Sequence, residues 1–84
     1  MEHLYRKTVR ADSCAEDRGA EVVYVMPYMG STFAVVYASD DFYPSVVLLT
    51  CCGRNEAIEH GVRIATLGAD VLRERAGHIV GLYL

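Results

Sequence analysis

The side chains that could support catalysis or bind a metal are few and scattered along the chain. They are the cysteines Cys14, Cys51 and Cys52 and the histidines His3, His60 and His78. A zinc site would need Cys51 or Cys52 to meet His60 or His78 in space, and their spacing matches no zinc pattern. The odd cysteine count also fits no disulfide framework. We therefore expect reduced, partly buried cysteines and no metal site.

No motif for nucleophilic catalysis or phosphate binding accompanies these residues. The serines and cysteines have no neighbouring motif that would supply a base. Gly53, Arg54 and Asn55 precede a predicted helix but lack the lysine and the further glycines of a phosphate-binding loop. The paired carboxylates of Asp40 and Asp41 lie in a predicted turn, where aspartate is common for backbone reasons. We expect neither enzymatic activity nor a bound cofactor.

Charge is distributed unevenly in a chain whose net charge is −3. Residues 1–10 contain three basic residues and one acidic one, whereas residues 11–50 contain six acidic residues and one arginine. An acidic middle argues against direct nucleic-acid binding and is compatible with a basic partner. Solvated acidic loops are the alternative explanation. The candidate partner-binding carboxylates are Glu16, Asp17, Asp40 and Asp41.

A helix over residues 55–76 is the most regular element that the sequence predicts. Its apolar stripe repeats at alternating spacings of four and three, which is typical of an amphipathic helix. The stripe consists of Ile58, Val62, Ala65, Ala69, Leu72 and Ala76. Arg73 belongs to the opposite, solvated face. Gly61 and Gly68 each cost about 1 kcal/mol of helix propensity, which suggests close approach of the helix to a sheet, with a helix–helix seam as the alternative.

Five strands are predicted around this helix. They span residues 2–10, 21–29, 32–39, 45–52 and 78–84. The mixed pattern of the first strand predicts a sheet edge, and the apolar run over residues 45–52 predicts a central strand. The order β-β-β-β-α-β predicts one α+β domain over residues 1–84. Its four- to five-stranded, mostly antiparallel sheet would carry one amphipathic helix on one face.

Nothing in the sequence predicts a membrane partner. The N-terminal MEHLYRKTVR lacks the apolar core of a signal peptide, and charges or turn residues interrupt every apolar run before it reaches the length of a membrane span. We expect a cytoplasmic protein.

Both faces of the predicted sheet are apolar, although one helix can cover only one of them. A hairpin across Gly30 and Ser31 would bring the large side chains of two strands together. The resulting predicted contact surface consists of Tyr24, Met26, Tyr28, Phe33, Val35 and Tyr37. Large exposed apolar patches mark binding surfaces, and interfaces favour tyrosine and methionine. In the alternative, the N-terminal strand, the long loop or a twisted sheet folds back over this face.

Two resemblances bear on function. Three strands followed by GRNEAIEHGVRIA resemble the partial RNase-H-like domain of HicB-type antitoxins, through Gly53, Glu56 and Ala57 within residues 21–75. The chain has no room for the DNA-binding extension usual in that family. In size, acidity and absence of catalytic motifs it also resembles the anti-CRISPR proteins of phages and mobile elements, with which it shares no motif.

Together these patterns predict a non-catalytic protein-binding domain. In the favoured interpretation it is a small stoichiometric inhibitor of a larger host complex, in the manner of the anti-CRISPR proteins. It would dock through the predicted contact surface and the acidic turns, with a basic nucleic-acid-binding surface as one candidate partner. In the alternative it is a HicB-like antitoxin or a self-assembling, homodimeric regulatory module.

Overall fold

The computed structural model describes residues 3–10, 21–39 and 45–82, and it confirms the α+β class. Four strands form one antiparallel sheet in the order β1-β2-β3-β4. Two helices follow the last strand. The elements are β1 Tyr5–Arg10, β2 Glu21–Pro27, β3 Phe33–Ser39, β4 Val46–Cys51, α1 Arg54–Ala65 and α2 Ala69–Leu82. As predicted, β1 lies at an edge of the sheet, whereas β4, predicted to be central, is the other edge.

Each face of the sheet collects alternate residues of every strand. In the β2–β3 hairpin Val23 pairs with Tyr37 and Val25 with Val35, so these four side chains share one face, which we call the helix face. All four are fully buried in the hydrophobic core. The core is completed from the helices by Ala57, Ile64, Leu72 and Ala76. Both helices therefore lie on the same side of the sheet.

Helix α1 packs closely on the sheet because its inner surface is made of small residues. Ala57 is fully buried, and a Cβ atom placed on Gly61 would lie 2.7 Å from Cγ2 of Val25 and 3.3 Å from Cδ2 of Tyr5. No side chain larger than hydrogen fits at Gly61 without displacing Val25. The prediction that glycine permits close approach of the helix to the sheet is confirmed at this position.

The single long helix predicted over residues 55–76 is two helices. Gly68 has φ +95°, a backbone conformation that glycine adopts without steric cost and that ends a helix. Before it, Thr66 caps α1 by donating its hydroxyl to the carbonyl of Arg63 at 2.6 Å. After it, the amide of Leu72 donates to the carbonyl of Gly68 at 3.1 Å, which begins the hydrogen bonding of α2. Gly61 and Gly68 thus serve two different purposes.

The prediction of a fifth strand over residues 78–84 is wrong, because α2 continues to Leu82. The helical spacing of buried side chains continues past Gly77, from Leu72 and Ala76 to the half-buried Ile79 and Val80. A short apolar run is compatible with either a strand or a buried helix. Neither described helix is long and apolar enough to cross a membrane.

Candidate functional site

The sheet divides the predicted contact surface between its two faces. Val35 and Tyr37 lie on the helix face and are fully buried, and Phe33 pairs with Pro27 and packs against the same core. Tyr24 and Met26 point to the opposite side, which we call the outer face. The prediction that all of these residues form one surface is wrong for Phe33, Val35 and Tyr37.

The register of the β2–β3 hairpin causes this division. A two-residue turn at Gly30 and Ser31 would set Tyr24 opposite Tyr37, but Tyr24 pairs with Val36 and Tyr37 with Val23. The amide of Tyr28 donates to the carbonyl of Thr32 at 2.9 Å, and Gly30 has φ +62° within this turn. A register shift of one residue moves every side chain of one strand to the other face relative to its partner.

The outer face is apolar at its centre and polar toward β1. Cross-strand pairs place Tyr24 beside Val36 and Met26 beside Ala34. Ala34 and Val36 are buried, whereas the larger side chains around them are half-buried. Those half-buried residues are Val22, Tyr24, Met26 and Val47. Among the described residues, neither helix belongs to this side.

Two aromatic features extend the outer face. The ring of His3 stacks on that of Tyr24, with centroids 4.2 Å apart and an interplanar angle of 19°. At the hairpin turn Tyr28 is 39% exposed and Met29 is 72% exposed. Arg6, which is exposed, pairs with Tyr24 across β1 and β2. Of the predicted site residues, this surface therefore retains Tyr24, Met26 and Tyr28.

The candidate acidic residues Glu16, Asp17, Asp40 and Asp41 lie outside the described part of the chain. The prediction that they steer a basic partner stays a prediction.

A polar network occupies the helix face at the start of β2. Glu21 is fully buried; its carboxylate accepts a hydrogen bond from the hydroxyl of Tyr37 and two from Arg73, from Nε at 3.0 Å and from Nη2 at 2.5 Å. Arg73, predicted on a solvated helix face, thus reaches into the core. The spacing of Glu21 with Val23 and Val25 on one strand is the sequence signal that places Glu21 on the buried face.

The network shifts the proton affinity of two of its members. Burial, followed by the hydrogen bond and charge of Glu21, raises the pKa of Tyr37 well above that of an ordinary phenol, although Arg73 opposes this shift. The hydrogen bond to Glu21 raises the pKa of Arg73. No buried side-chain nitrogen or oxygen of the described residues lacks a hydrogen-bond partner. The buried polar atoms of this cluster therefore have their hydrogen-bond partners within the fold.

A third cluster lies where β4 turns into α1. Cys51 ends the strand, and Glu56 and His60 stand one helical turn apart on the first turns of the helix. The thiol, a carboxylate oxygen and an imidazole nitrogen lie within 4.8 Å of one another, and Oε2 of Glu56 is 3.9 Å from Nε2 of His60. Burial, then the charges of Glu56 and Cys52, raises the pKa of Cys51. The spacing of the cysteines and histidines in the sequence does not indicate Glu56 as a member of this cluster.

An open groove of about 540 Å³ separates β4 from α2. Its walls are mainly apolar, with Leu48, Leu49, Ile64, Val71 and Ile79, and its rim carries Glu74, Arg75 and His78. His78 lines this groove and does not belong to the cluster of Cys51, Glu56 and His60.

Comparison with known proteins gives no relatives: no family model, no curated protein and no solved structure matches the chain.

Proposed function

We propose that this protein is a non-catalytic protein-binding domain that contacts its partner through the outer face of the sheet. The observation that carries the proposal is the placement of both helices on the helix face, which leaves Tyr24 and Met26 half-buried on the other side. In its narrower form, the proposal is a cytoplasmic stoichiometric inhibitor of a larger complex, comparable in format to the anti-CRISPR proteins.

The chemistry of the outer face supports a protein partner. Tyrosine provides a large contact area with little loss of conformational entropy, and methionine adapts its packing to the partner. Both are enriched at protein interfaces. The surface has an apolar centre at Tyr24 and Met26 and a polar border at Arg6 and Thr8. An apolar centre within a polar rim is the general anatomy of a protein–protein contact.

The hairpin turn supplies a second contact area at one end of this face. Met29 is the most exposed large apolar residue of the described chain, and Tyr28 precedes it. Exposed methionine and tyrosine on a turn can enter a pocket of a partner while the sheet provides the broader contact. The predicted acidic residues would add electrostatic steering toward a basic partner, which raises the association rate more than the final affinity.

The proposal is tested by capture experiments with face-specific variants. Tagged protein is incubated with lysate of the source cells, and the captured proteins are quantified for wild type, Tyr24→Ala and Met26→Glu. Val62→Glu is the matched control, because Val62 belongs to α1, away from the outer face, and is 44% exposed to solvent. We expect a partner retained by wild type and by the control but lost from both face variants, since a central aromatic commonly contributes about 2 kcal/mol or more. A partner retained equally by all four proteins would contradict the proposal.

The rival function is a self-assembling or HicB-like module in which the outer face meets a second copy. Light scattering after size-exclusion chromatography distinguishes the two. A monomer across the concentration range supports a foreign partner, whereas a dimer that dissociates in Tyr24→Ala and Met26→Glu supports self-assembly.

A further inference from the structure

We propose that Cys51, Glu56 and His60 form a binding site for a zinc ion at the junction of β4 and α1. This inference is independent of the protein-binding role. It rests on the convergence of three ligand types from a strand end and a helix face, all within 4.8 Å of one another.

The local fold explains why these side chains meet. Cys51 is the last residue of β4, and α1 begins at Arg54, so the thiol lies beside the first turn of the helix. Glu56 and His60 are separated by four residues, which places them on the same helix face. The same spacing brings two ligands to one metal ion on the helices of many zinc proteins. The short connection between β4 and α1 holds the third ligand, Cys51, beside Glu56 and His60.

The separation of Glu56 and His60 is close to the one that a bound ion requires. Zinc bonds of about 2.0–2.3 Å in a tetrahedral arrangement set neighbouring ligand atoms about 3.3–3.6 Å apart. The 3.9 Å between Oε2 of Glu56 and Nε2 of His60 is close to this range. Glu56 is exposed and His60 is half-buried, so rotation of their side chains can close the remaining gap without movement of the backbone.

The ligand set selects the type of metal. A thiolate and an imidazole are soft or borderline ligands that favour zinc over magnesium or calcium, which prefer oxygen. Cys51 is 9% exposed, and the exposed Glu56 forms the solvent side of the cluster, so an ion can enter from that side. Binding displaces the thiol proton to solvent. Three protein ligands leave one tetrahedral position for water or for a side chain of a partner.

A bound ion would join the end of β4 to the first two turns of α1. Gly53, the N-cap of α1, makes no side-chain capping bond. A metal bridge across this junction would stabilise the folded state by mass action.

The test is titration of the reduced, metal-free protein with Zn²⁺, followed by calorimetry, and with Co²⁺, followed by its absorption spectrum. We expect saturation at a single equivalent, a thiolate-to-cobalt charge-transfer band with the d–d bands of tetrahedral coordination, and a higher unfolding temperature with zinc. His60→Gln and Glu56→Gln should each weaken zinc binding by about tenfold or more. Cys51→Ser should abolish the charge-transfer band.

Matched controls separate this site from adventitious binding. Cys52→Ser changes the exposed neighbouring thiol, Glu59→Gln an exposed carboxylate of the same helix, and His78→Gln an exposed histidine of α2. We expect these variants to bind zinc as wild type does. Unchanged zinc affinity in His60→Gln, which alters a half-buried side chain, would overturn the proposal even if Cys51→Ser fails to fold. Absence of saturable binding by the wild-type protein would also overturn it.

Discussion

The hydroxyl of Tyr37 on β3 donates a hydrogen bond to the fully buried carboxylate of Glu21 on β2. The same carboxylate accepts two hydrogen bonds from Arg73 on α2. One buried charge thus joins two neighbouring strands to the second helix. A buried carboxylate is tolerated only when its hydrogen bonds and its counter-charge are both present. The position of α2 against the sheet therefore depends on this network.

Replacement of Arg73 by methionine should destabilise the protein strongly. The change leaves the Glu21 carboxylate buried without a counter-charge, a situation that costs about 3–5 kcal/mol. We expect the lower part of this range, because the Arg73 side chain is 32% exposed and water can reach the gap. Urea unfolding measures the loss, and Arg75→Met, an exposed arginine of the same helix, is the control.

The double variant Glu21→Leu with Arg73→Met gives the second part of this test. With both charges removed, we expect it to unfold at a higher urea concentration than Arg73→Met alone, since an apolar pair has no uncompensated charge. Additive losses from the two substitutions would mean that Glu21 and Arg73 do not stabilise each other.

Tyr37 should make stability depend on alkaline pH. Its pKa in the folded protein is raised above the value of 10.0 for a free phenol, mainly by burial and then by Glu21. Above about pH 10 the unfolded chain loses this proton while the folded chain retains it. The contribution of Tyr37 is therefore complete below pH 10 and is lost as pH rises beyond that value.

The measurement is the free energy of unfolding of wild type and Tyr37→Phe between pH 8 and pH 11. The difference between the two proteins should change above about pH 10, with wild type losing stability more steeply. Tyr28→Phe, at a 39% exposed tyrosine, should follow the wild-type curve. Parallel curves for wild type and Tyr37→Phe would show that the phenol ionises alike in both states.

Gly61→Ala should destabilise the protein although alanine favours helices. The new methyl group would lie 2.7 Å from Cγ2 of Val25, so that α1 must move away from the sheet. Overpacking of this kind costs about 1–3 kcal/mol, which outweighs a propensity gain of about 1 kcal/mol. Val25→Ala creates space for the methyl group, so the double variant should lose less stability than the sum of the two single ones. Thermal unfolding of the three proteins measures this coupling, and a more stable Gly61→Ala protein would contradict close packing at this site.

Local patterns in the sequence predict much of this fold. Valine-rich runs give the positions of β2, β3 and β4, and the spacing of apolar residues gives the helical region, because both depend on neighbouring residues. The order of the elements up to α1 follows from the order of these runs in the sequence. The α+β class is therefore predictable without knowledge of long-range contacts.

The division of the aromatic residues between the helix face and the outer face is not predictable from the same patterns. Alternation correctly groups Tyr24 with Met26 and Phe33 with Tyr37, but the conformation of the turn around Gly30 decides how the two groups face each other. A shift of one residue in that turn places Tyr37 with Val23 in the core. Likewise, Gly61 and Gly68 look alike in the sequence, and only the fold makes one a packing contact and the other a helix end.

Parallel unfolding of Tyr24→Ala and Tyr37→Ala tests most directly the claim that the outer face is a contact surface and the helix face is core. Tyr37 is fully buried, so its truncation should cost about 3–5 kcal/mol and can prevent folding. Tyr24 is half-buried on the outer face, and its truncation should cost about 1 kcal/mol or less and leave a cooperative transition. Equal and severe loss of stability in both variants would contradict the account, because the outer face would then belong to the core of the domain.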